Sequence, residues 1–300
     1  MQFARQVLGA KAILLLAANI GSGSPGMAAP QQGALSSDRA GVVYEISRDA
    51  ESAQKDSNGS TSGSTDRDTL VERVLNVRSD GLELEYDLSK DATAEDRTSN
   101  WQFPVRIFRP FSGPTQLLNG PELEERIDGW LKRAGLTRAA CGHWIFTWNA
   151  FKIECDPQST LQSIEAFDLR PNDLRDGAIY NDPQASEPTT LKKTSVGSNG
   201  STFIGEMSVD PEHVRRDQAE SDVVVAEITK KVLTLADALR ARSSEKVSGT
   251  IAITFDVDSA GVVRRRTKIT KLETTATNGS VENRTITEIV TRRMVSDGLK

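Results

Sequence analysis

The C-terminal region most constrains the fold of this chain, because it has the pattern of three consecutive β-strands. Apolar and polar residues alternate over about 247–257, 262–275 and 281–293, with the two-residue period of half-buried strands. The second connection contains Asn278-Gly279, a dipeptide typical of tight hairpin turns. Strands joined by such short turns pair in antiparallel fashion, so we predict a three-stranded meander.

A second hairpin is predicted nearer the N-terminus. Its strands are 70–77 and 82–88, with Gly81 in the turn. Apolar residues alternate with acidic ones in the second strand, which indicates a sheet with one solvated face. Residues 101–109 are predicted to form another strand, and Pro104 places it at a sheet edge or a bulge.

Three to four helices are predicted between these strands. The first starts at Pro121 and ends at Gly135, because proline is favoured at the start of a helix and glycine just past its end. The other starts are marked by an Asp-Pro pair or a threonine cap, at Asp156-Pro157, Asp210-Pro211 and Thr234. Since β-α-β alternation is absent from the pattern, the predicted class is α+β with an antiparallel sheet.

Composition divides the chain into segments. We predict a signal peptide at 1–28, a polar tail at 29–40, an N-terminal lobe at 41–182, a linker or long loop at 183–201 and a C-terminal lobe at 202–300. Within the N-terminal lobe, the Ser/Gly-rich segment 49–66 has little apolar surface to bury and is predicted to be a mobile loop. Whether the two lobes share one sheet stays open.

The first 28 residues have the order of a secretory signal peptide. Arg5 and Lys11 precede an apolar run at 12–20, and small residues lead to cleavage after Ala28. The run is shorter than the ~20 residues that span a bilayer, so we expect a periplasmic or secreted protein without a transmembrane anchor. Cleavage changes the formal net charge from −5 to −7, an acidity that argues against binding nucleic acid.

The two cysteines, Cys141 and Cys155, both belong to the exported part. In an oxidising compartment such a pair forms a disulfide, and two free buried thiols are the alternative. His143 and His213 could complete a zinc site with the two cysteines, but Cys-x-His lacks the usual zinc-ligand spacing and export favours the disulfide. We predict a disulfide, no metal and no cofactor.

Two sets of residues are candidates for catalysis in an exported hydrolase. Cys141, if reduced, has His143 two residues away on the same strand face and could act as a nucleophile. Four carboxylates could form a paired site for sugar hydrolysis, although aspartates also serve as helix caps and turn residues: they are Asp168, Asp173, Asp176 and Asp182. The exported part has no Gly-x-Ser-x-Gly motif, and the sequence assigns no catalytic residue.

A basic patch lies in the middle strand of the predicted meander, at Arg264, Arg265, Arg266 and Lys268. Alternate members share one strand face and could contact a lipid phosphate or an acidic partner. The alternative is a solvated face that pairs with Glu282 and Glu288 of the next strand.

Aromatic side chains are concentrated between the two cysteines, in a buried strand or tight hairpin. With two residues of the strand at 101–109, they could line a pocket for a lipid or another apolar ligand. The candidate ligand-binding residues are Trp101, Phe103, Trp144, Phe146, Trp148 and Phe151. The alternative is that these side chains only fill the core.

Two segments of the chain resemble known sequences. WIFTWNAFKIECDPQSTLQSIEAFDLRPNDLRDG, residues 144–177, and GTIAITFDVDSAGVVRRRTKIT, residues 249–270, are similar to uncharacterised, signal-peptide-bearing exported proteins of Gram-negative bacteria. The resemblance implies a location in the cell envelope, and it transfers no activity and no site residue.

The expected function is therefore that of an exported, non-catalytic binding or scaffold protein of the envelope, with an envelope lipid or a protein as its partner. An exported hydrolase is one alternative. A subunit of an envelope assembly is another, joined through an exposed strand edge near Pro104 or in the last strand.

Overall fold

The computed structural model describes residues 38–146, 150–171, 173–195 and 200–295. Over these ranges the chain has the expected α+β architecture, with a ten-stranded antiparallel sheet, two two-stranded sheets and five α-helices. The predicted signal peptide, most of the predicted polar tail and Trp148 lie outside the described residues.

The large sheet contains strands from both halves of the chain. In chain order, the strands of the protein are β1 (Val43–Asp56), β2 (Thr61–Val77), β3 (Gly81–Leu88), β4 (Val105–Pro110), β5 (Gln116–Leu117), β6 (Trp144–Phe146), β7 (Ala150–Lys152), β8 (Ile179–Tyr180), β9 (Thr189–Thr190), β10 (Lys192–Ser195), β11 (Gly200–Ser208), β12 (Lys246–Asp258), β13 (Val263–Thr275) and β14 (Val281–Met294). The large sheet has the order β10-β11-β12-β13-β14-β1-β2-β3-β4-β5, while β6 pairs with β7 and β8 with β9. The predicted C-terminal meander is confirmed as β12, β13 and β14.

The first and last long strands are neighbours in the middle of this sheet. β1 pairs with β14 from Tyr44 opposite Met294 to Asp56 opposite Glu282. The pairing closes the chain on itself and places both predicted lobes in one sheet, which answers the question that the sequence leaves open.

The five helices are α1 (Ala94–Ser99), α2 (Gly120–Arg133), α3 (Ser159–Glu165), α4 (Pro211–Ile228) and α5 (Leu235–Arg242). The four predicted helices correspond to α2–α5. The short α1 was not predicted, although its capping box between Thr93 and Asp96 is a sequence signal. Gly135 follows α2 with φ of 69°, a conformation that glycine adopts without strain. No helix in the described ranges has both the length and the apolar character that crossing a membrane requires.

Two apolar clusters lie on one face of the large sheet, which we call the inner face. Toward β5, Ile46 and Leu70 pack with Leu123 and Ile127 of α2. Toward β10, strand residues pack with each other and with α4 through Val214; they include Phe203, Ile251, Ile253 and Phe255. The protein thus has two apolar cores, and both are packed against the same large sheet. On β3, the apolar side chains face inward and the acidic ones are more exposed, as predicted.

The prediction of a mobile loop at 49–66 is wrong. β1 continues to Asp56 and β2 begins at Thr61, so the connection is only a tight turn at 57–60. Although this segment buries little apolar surface, β1 has a hydrogen-bonding partner on each side, β14 and β2. These ladders satisfy the backbone groups that a loop would leave to water.

Three further expectations need correction. The predicted linker at 183–201 contains β9 and β10 and the first residues of β11, because its Thr- and Lys-rich stretches add to sheet edges. The strand predicted from residue 101 begins only at Val105, after Pro104. Neither proposed edge is free, since β4 is paired on both sides and the last strand β14 lies between β13 and β1.

Candidate functional site

A surface groove of about 550 Å³ lies between α1 and α2, which we call the α1–α2 groove. It contains two of the six aromatic residues that the sequence suggested for ligand binding. Its lining residues are Arg97, Thr98, Asn100, Trp101, Phe103, Pro104, Glu122, Glu125, Arg126, Gly129 and Arg133. This volume lies within the range of small-molecule sites in proteins.

The floor of the groove is aromatic and is anchored in the core. Trp101 is only 7% exposed, and the half-buried Phe103 packs against the same apolar cluster. Asn119, which precedes α2, accepts a hydrogen bond from the Arg106 backbone N–H at 2.9 Å and donates one to the Pro104 carbonyl at 3.3 Å. These bonds fix the start of α2 beside the segment that carries the two aromatic rings.

Most charges in the groove are paired within the protein. Glu122 binds Arg106 at 3.1 Å and also Arg126, and Arg97 binds Asp87 at 3.0 Å. Burial raises the pKa of Glu122, but the hydrogen bond from Asn119 and the nearby Arg126 guanidinium outweigh it and hold the pKa below its usual value. Glu122 is therefore an anion at neutral pH.

Arg133 differs from the other cations of the groove. Its Nη2 atom donates a hydrogen bond to the Thr98 carbonyl at 2.7 Å, and no carboxylate of the described residues forms an ion pair with it. Gly129, one helical turn before Arg133 on α2, has no side chain that could fill the groove. The arrangement presents a guanidinium beside an aromatic floor, which suits an anionic group attached to an apolar body.

The other aromatic candidates are placed elsewhere. Phe151 packs partly buried against the apolar cluster, whereas Phe146 is 62% exposed. Trp144 is half-buried, and its backbone N–H donates to Glu227 of α4 at 3.1 Å. Trp148 lies outside the described residues. The structure thus brings only Trp101 and Phe103 to the groove, and ligand binding by the other candidates stays a prediction.

The predicted disulfide is present. Cys141 and Cys155 are bonded, with an S–S distance of 2.04 Å, so Cys141 is not a free nucleophile. His143 Nδ1 lies 3.4 Å from Glu227, and His213 Nε2 lies 3.5 Å from Asp217. Within the described ranges, the side chains that bind metals do not gather in a group of three or more.

Each carboxylate of the proposed acidic set has a partner of its own. Asp168 pairs with Arg109 at 2.9 Å, and Asp173 pairs with Arg175 at 2.9 Å. The other two are Asp176, which accepts the backbone N–H of Lys193, and the buried Asp182, which pairs with Lys268 at 2.6 Å. Each of the four aspartates therefore takes part in a turn or an ion pair of its own.

The basic patch contributes to the inner face of the sheet. Arg266 pairs with Glu288 at 2.8 Å and also donates to the carbonyls of Ala166 and Asp168. Arg264 pairs with Asp258 at 2.7 Å, while Arg265 points to the opposite face, where it is aligned with Thr291. Three of the four basic residues, counting Lys268 with Asp182, therefore hold this chain together, and recognition of a partner by the patch stays a prediction.

A buried ion cluster was not predicted from the sequence. Glu72 accepts hydrogen bonds from Arg170, Arg292 and the hydroxyl of Tyr86, all within 2.9 Å. Arg292 also donates to Asp38 at 2.7 Å and stacks on the ring of Tyr44, 3.4 Å from its centroid. One signal was present: Glu72 lies between Leu70 and Val74 in an alternation whose other members face the core.

The electrostatics of this cluster favour its charged form. Burial raises the pKa of Glu72, but the guanidinium groups of Arg170 and Arg292 outweigh burial and hold the pKa well below its usual value. The cluster links Asp38 at the start of the described chain to the last strand. Because its charges are buried, the loss of one member would leave another without compensation.

Comparisons with known proteins assign no family to this chain. It matches no protein-family model and no curated protein. Three solved chains match, and one is a structure of lipovitellin described for its lipid–protein interactions, with 10% sequence identity and a TM-score of 0.39. The match covers 86% of this chain but 25% of the lipovitellin chain, so this chain spans about a quarter of that protein.

Proposed function

We propose that the protein is an exported, non-catalytic binding protein of the cell envelope, and that the α1–α2 groove binds an amphiphile with one anionic group. Export is supported by the signal-peptide pattern of residues 1–28 and by the disulfide, a bond typical of oxidising compartments. The residues that line the groove indicate which kind of ligand it binds.

The observation that carries the proposal is the position of Arg133 beside the floor formed by Trp101 and Phe103. A guanidinium binds carboxylate or phosphate through charge-assisted hydrogen bonds. An aromatic floor removes an acyl chain or a ring from water, which is favourable in proportion to the apolar area buried. An amphiphile uses both features, since its anionic group can bind Arg133 while its apolar part covers the aromatic floor. A purely apolar ligand would gain nothing from the charge of Arg133.

The remaining charges limit the ligand to a single anionic group. Arg97 and Arg126 are already bound to Asp87 and Glu122, and Glu125 adds a negative charge to the rim. A ligand with several anionic groups would be repelled by these carboxylates. The expected ligand is therefore a monoanionic lipid or a fatty acid.

Two measurements test this proposal. Native mass spectrometry of the exported chain, purified without refolding, is expected to show a co-purified lipid-sized mass and the loss of residues 1–28. Titration calorimetry with dodecanoate and with the uncharged dodecyl maltoside is expected to show saturable binding of dodecanoate at one site and much weaker binding of the maltoside.

Variants locate the site. Gly129→Phe fills the groove and should abolish dodecanoate binding, and Arg133→Gln should weaken it about tenfold through the lost charge-assisted bond. Lys132→Gln, an exposed cation one residue away on the same helix, is the matched control and should leave binding unchanged. Equal effects of the Lys132 and Arg133 substitutions, or equal binding of both probes, would contradict the proposal.

A further inference from the structure

In the part of the chain that the structure describes, half of β2 has a strand partner on one side only. β1 pairs with β2 from Thr61 to Arg73, but β3 pairs with β2 only from Leu70 onward. Among the described strands, none pairs with the other side of residues 61–69. We call this stretch the β2 edge.

The backbone groups of the β2 edge have a defined direction. The Asp56 N–H donates to the Ser60 carbonyl at 2.9 Å, and the Val74 N–H donates to the Val42 carbonyl at 3.0 Å. The β1–β2 register between these points is continuous, so even-numbered residues bond to β1 and odd-numbered residues direct N–H and C=O groups away from it. The odd-numbered residues from 61 to 67 are all exposed. Such a row is a template for another strand.

Two carboxylates lie on the inner face beside this edge. Asp66 and Asp68 alternate along β2 with the same parity as Leu70, whose side chain is in the core. On the β1 side, Asp66 is opposite Ala50, and among the described residues no cation forms an ion pair with it. Asp68 lies 3.9 Å from Arg48, whose closer partner is a glutamate of β14, at 2.7 Å. The inner face therefore carries an excess of negative charge where the sheet ends.

We propose that the β2 edge binds an extended segment of another protein as an added antiparallel strand, and that this segment carries a lysine or arginine opposite Asp66. Asp66 is at a non-hydrogen-bonded position of such a pair, where facing Cα atoms are about 4.5 Å apart. A cation there contacts the Asp66 carboxylate, and its long side chain also reaches Asp68, because diagonal neighbours are about 7–8 Å apart. Addition of a strand to an exposed sheet edge is a recurring mode of peptide recognition.

The position of β3 limits the length of the added strand. Leu88 is already opposite Leu70, so the segment must end before it reaches that position. A segment opposite Thr61 to Arg67 ends three positions short of Leu70, which leaves about 10 Å between its terminal residue and Leu88. The outward groups of the edge in this range then form about eight backbone hydrogen bonds.

The charges of the edge favour a basic segment over a second copy of this chain. In antiparallel pairing about a twofold axis perpendicular to the sheet, an even-numbered residue of the second β2 edge would lie opposite Asp66, and all of these are serine or aspartate. Serine supplies no cation, and an opposed aspartate would repel Asp66. On the outer face, Arg67 is bound to Asp49 of its own chain. The unmatched charge is therefore that of the inner carboxylates.

A pair of peptides tests the charge of the partner on the exported chain. The probe is the peptide TKVTVTT, acetylated at its N-terminus and labelled with a fluorophore at its C-terminus. Its lysine lies opposite Asp66 when its first residue lies opposite Arg67. Fluorescence anisotropy is expected to show saturable binding. The peptide TEVTVTT should bind at least tenfold more weakly, because like charges are then directly opposed.

Methylation of single backbone nitrogens in the same peptide tests the strand pairing. The N–H of the peptide residue opposite Thr65 points to the β2 edge, whereas the N–H of the residue opposite Ser64 points away from it. N-methylation of the first should weaken binding at least tenfold. N-methylation of the second is the matched control and should change binding less than about threefold. Equal losses at both positions would overturn the proposal.

Substitutions in the protein locate the cation. Asp66→Asn should weaken binding of TKVTVTT about fivefold through the lost ion pair. Glu51→Gln is the control, since Glu51 is exposed and lies opposite Thr65 in the neighbouring row, on the outer face of the sheet; it should leave binding unchanged. Equal effects of the two substitutions would contradict the placement of the cation.

Three further results would overturn the proposal. One is the absence of TKVTVTT binding at millimolar concentration, and another is equal binding of TKVTVTT and TEVTVTT. The third is a dimer of the unsubstituted protein that the peptide dissociates, which would assign the β2 edge to a second copy. Analytical ultracentrifugation with and without the peptide measures this last outcome, and a monomer in both conditions is expected.

Discussion

The carboxylate of Glu72 accepts two hydrogen bonds from the guanidinium of Arg170, at 2.6 and 2.9 Å. Glu72 is on β2 and has no exposed surface, while Arg170 lies in the segment after α3, 98 residues further along the chain. The pair therefore ties that segment to the middle of the large sheet. Because it is buried, removing one partner leaves the other charge without compensation.

Glu72→Gln is expected to lower the free energy of unfolding by about 3 kcal/mol at pH 7. The amide keeps the shape of the side chain but removes the negative charge between Arg170 and Arg292. Urea denaturation measures the change. Glu85→Gln is the control, since Glu85 is more exposed and its ion pair with Arg73 is long, at 3.8 Å; it should cost less than about 1 kcal/mol. Equal small losses in both variants would show that the cluster adds little stability.

The same pair predicts a pH dependence. The pKa of Glu72 is held well below its ordinary value of 4.5, so the unfolded chain takes up a proton at a higher pH than the folded protein does. The stability that this group contributes is complete above about pH 4.5 and is lost as the pH falls toward the folded pKa. The difference between the unsubstituted protein and Glu72→Gln should therefore shrink below pH 4.5. A constant difference would contradict the assignment.

Ionisation of Asp68 is expected to lower the stability of the folded state, which is the opposite of the effect at Glu72. Burial and the neighbouring Asp66 raise its pKa to about 6 against the opposing effect of Arg48, so ionised Asp68 destabilises the folded state. The cost develops as the pH rises from 3.8 to about 6 and stays constant above this range. Asp68→Asn is expected to raise the free energy of unfolding by about 1 kcal/mol at pH 7, a value reduced for partial solvent screening. It should have no effect at pH 3; a loss of stability at pH 7 would contradict this.

The disulfide between Cys141 and Cys155 closes a short loop, since the two cysteines are 14 positions apart in the sequence. Replacing both cysteines by serine should lower the free energy of unfolding by about 3 kcal/mol, because the unfolded chain regains the entropy of the open loop. Adding a reducing agent should have a similar effect on the unsubstituted protein and none on the double variant. A double variant as stable as the unsubstituted protein would show that the bond is not needed for stability.

Replacement of glycine by alanine is expected to have opposite effects on stability at two positions, Gly129 and Gly249. At Gly129 on α2, an added Cβ would lie 3.5 Å from Arg133 Nη1, an ordinary contact, so Gly129→Ala should stabilise the helix by about 0.5–1 kcal/mol. At Gly249 on β12, the Cβ would lie 2.2 Å from the Lys271 carbonyl oxygen. The backbone must shift there, and Gly249→Ala should destabilise the protein by more than about 1 kcal/mol. Thermal unfolding of the two variants distinguishes these outcomes, and changes of the same sign would contradict them.

Local patterns in the sequence determined most of the secondary structure. The two-residue alternation, together with Gly81 and Asn278-Gly279 in the turns, predicted the hairpin of β2 and β3 and the meander of β12 to β14. Proline at the starts and Gly135 past the end predicted helices close to those observed. These signals suffice because hairpins and helices are stabilised by neighbours in sequence. The disulfide was predicted from the presence of two cysteines together with the expectation of export.

Only the tertiary structure decided those features that depend on contacts between segments far apart in the sequence. The segment 49–66 has a sequence typical of a loop, and it is a strand because β14, more than 200 residues later, pairs with it. The ion cluster joins Asp38 and Arg292 across 254 residues, and the α1–α2 groove depends on how α2 packs beside Trp101. Hydrogen bonding and burial between remote segments leave no periodic signal in the sequence, so only the folded chain shows that Glu72 is buried and that Arg133 has no carboxylate partner among the described residues.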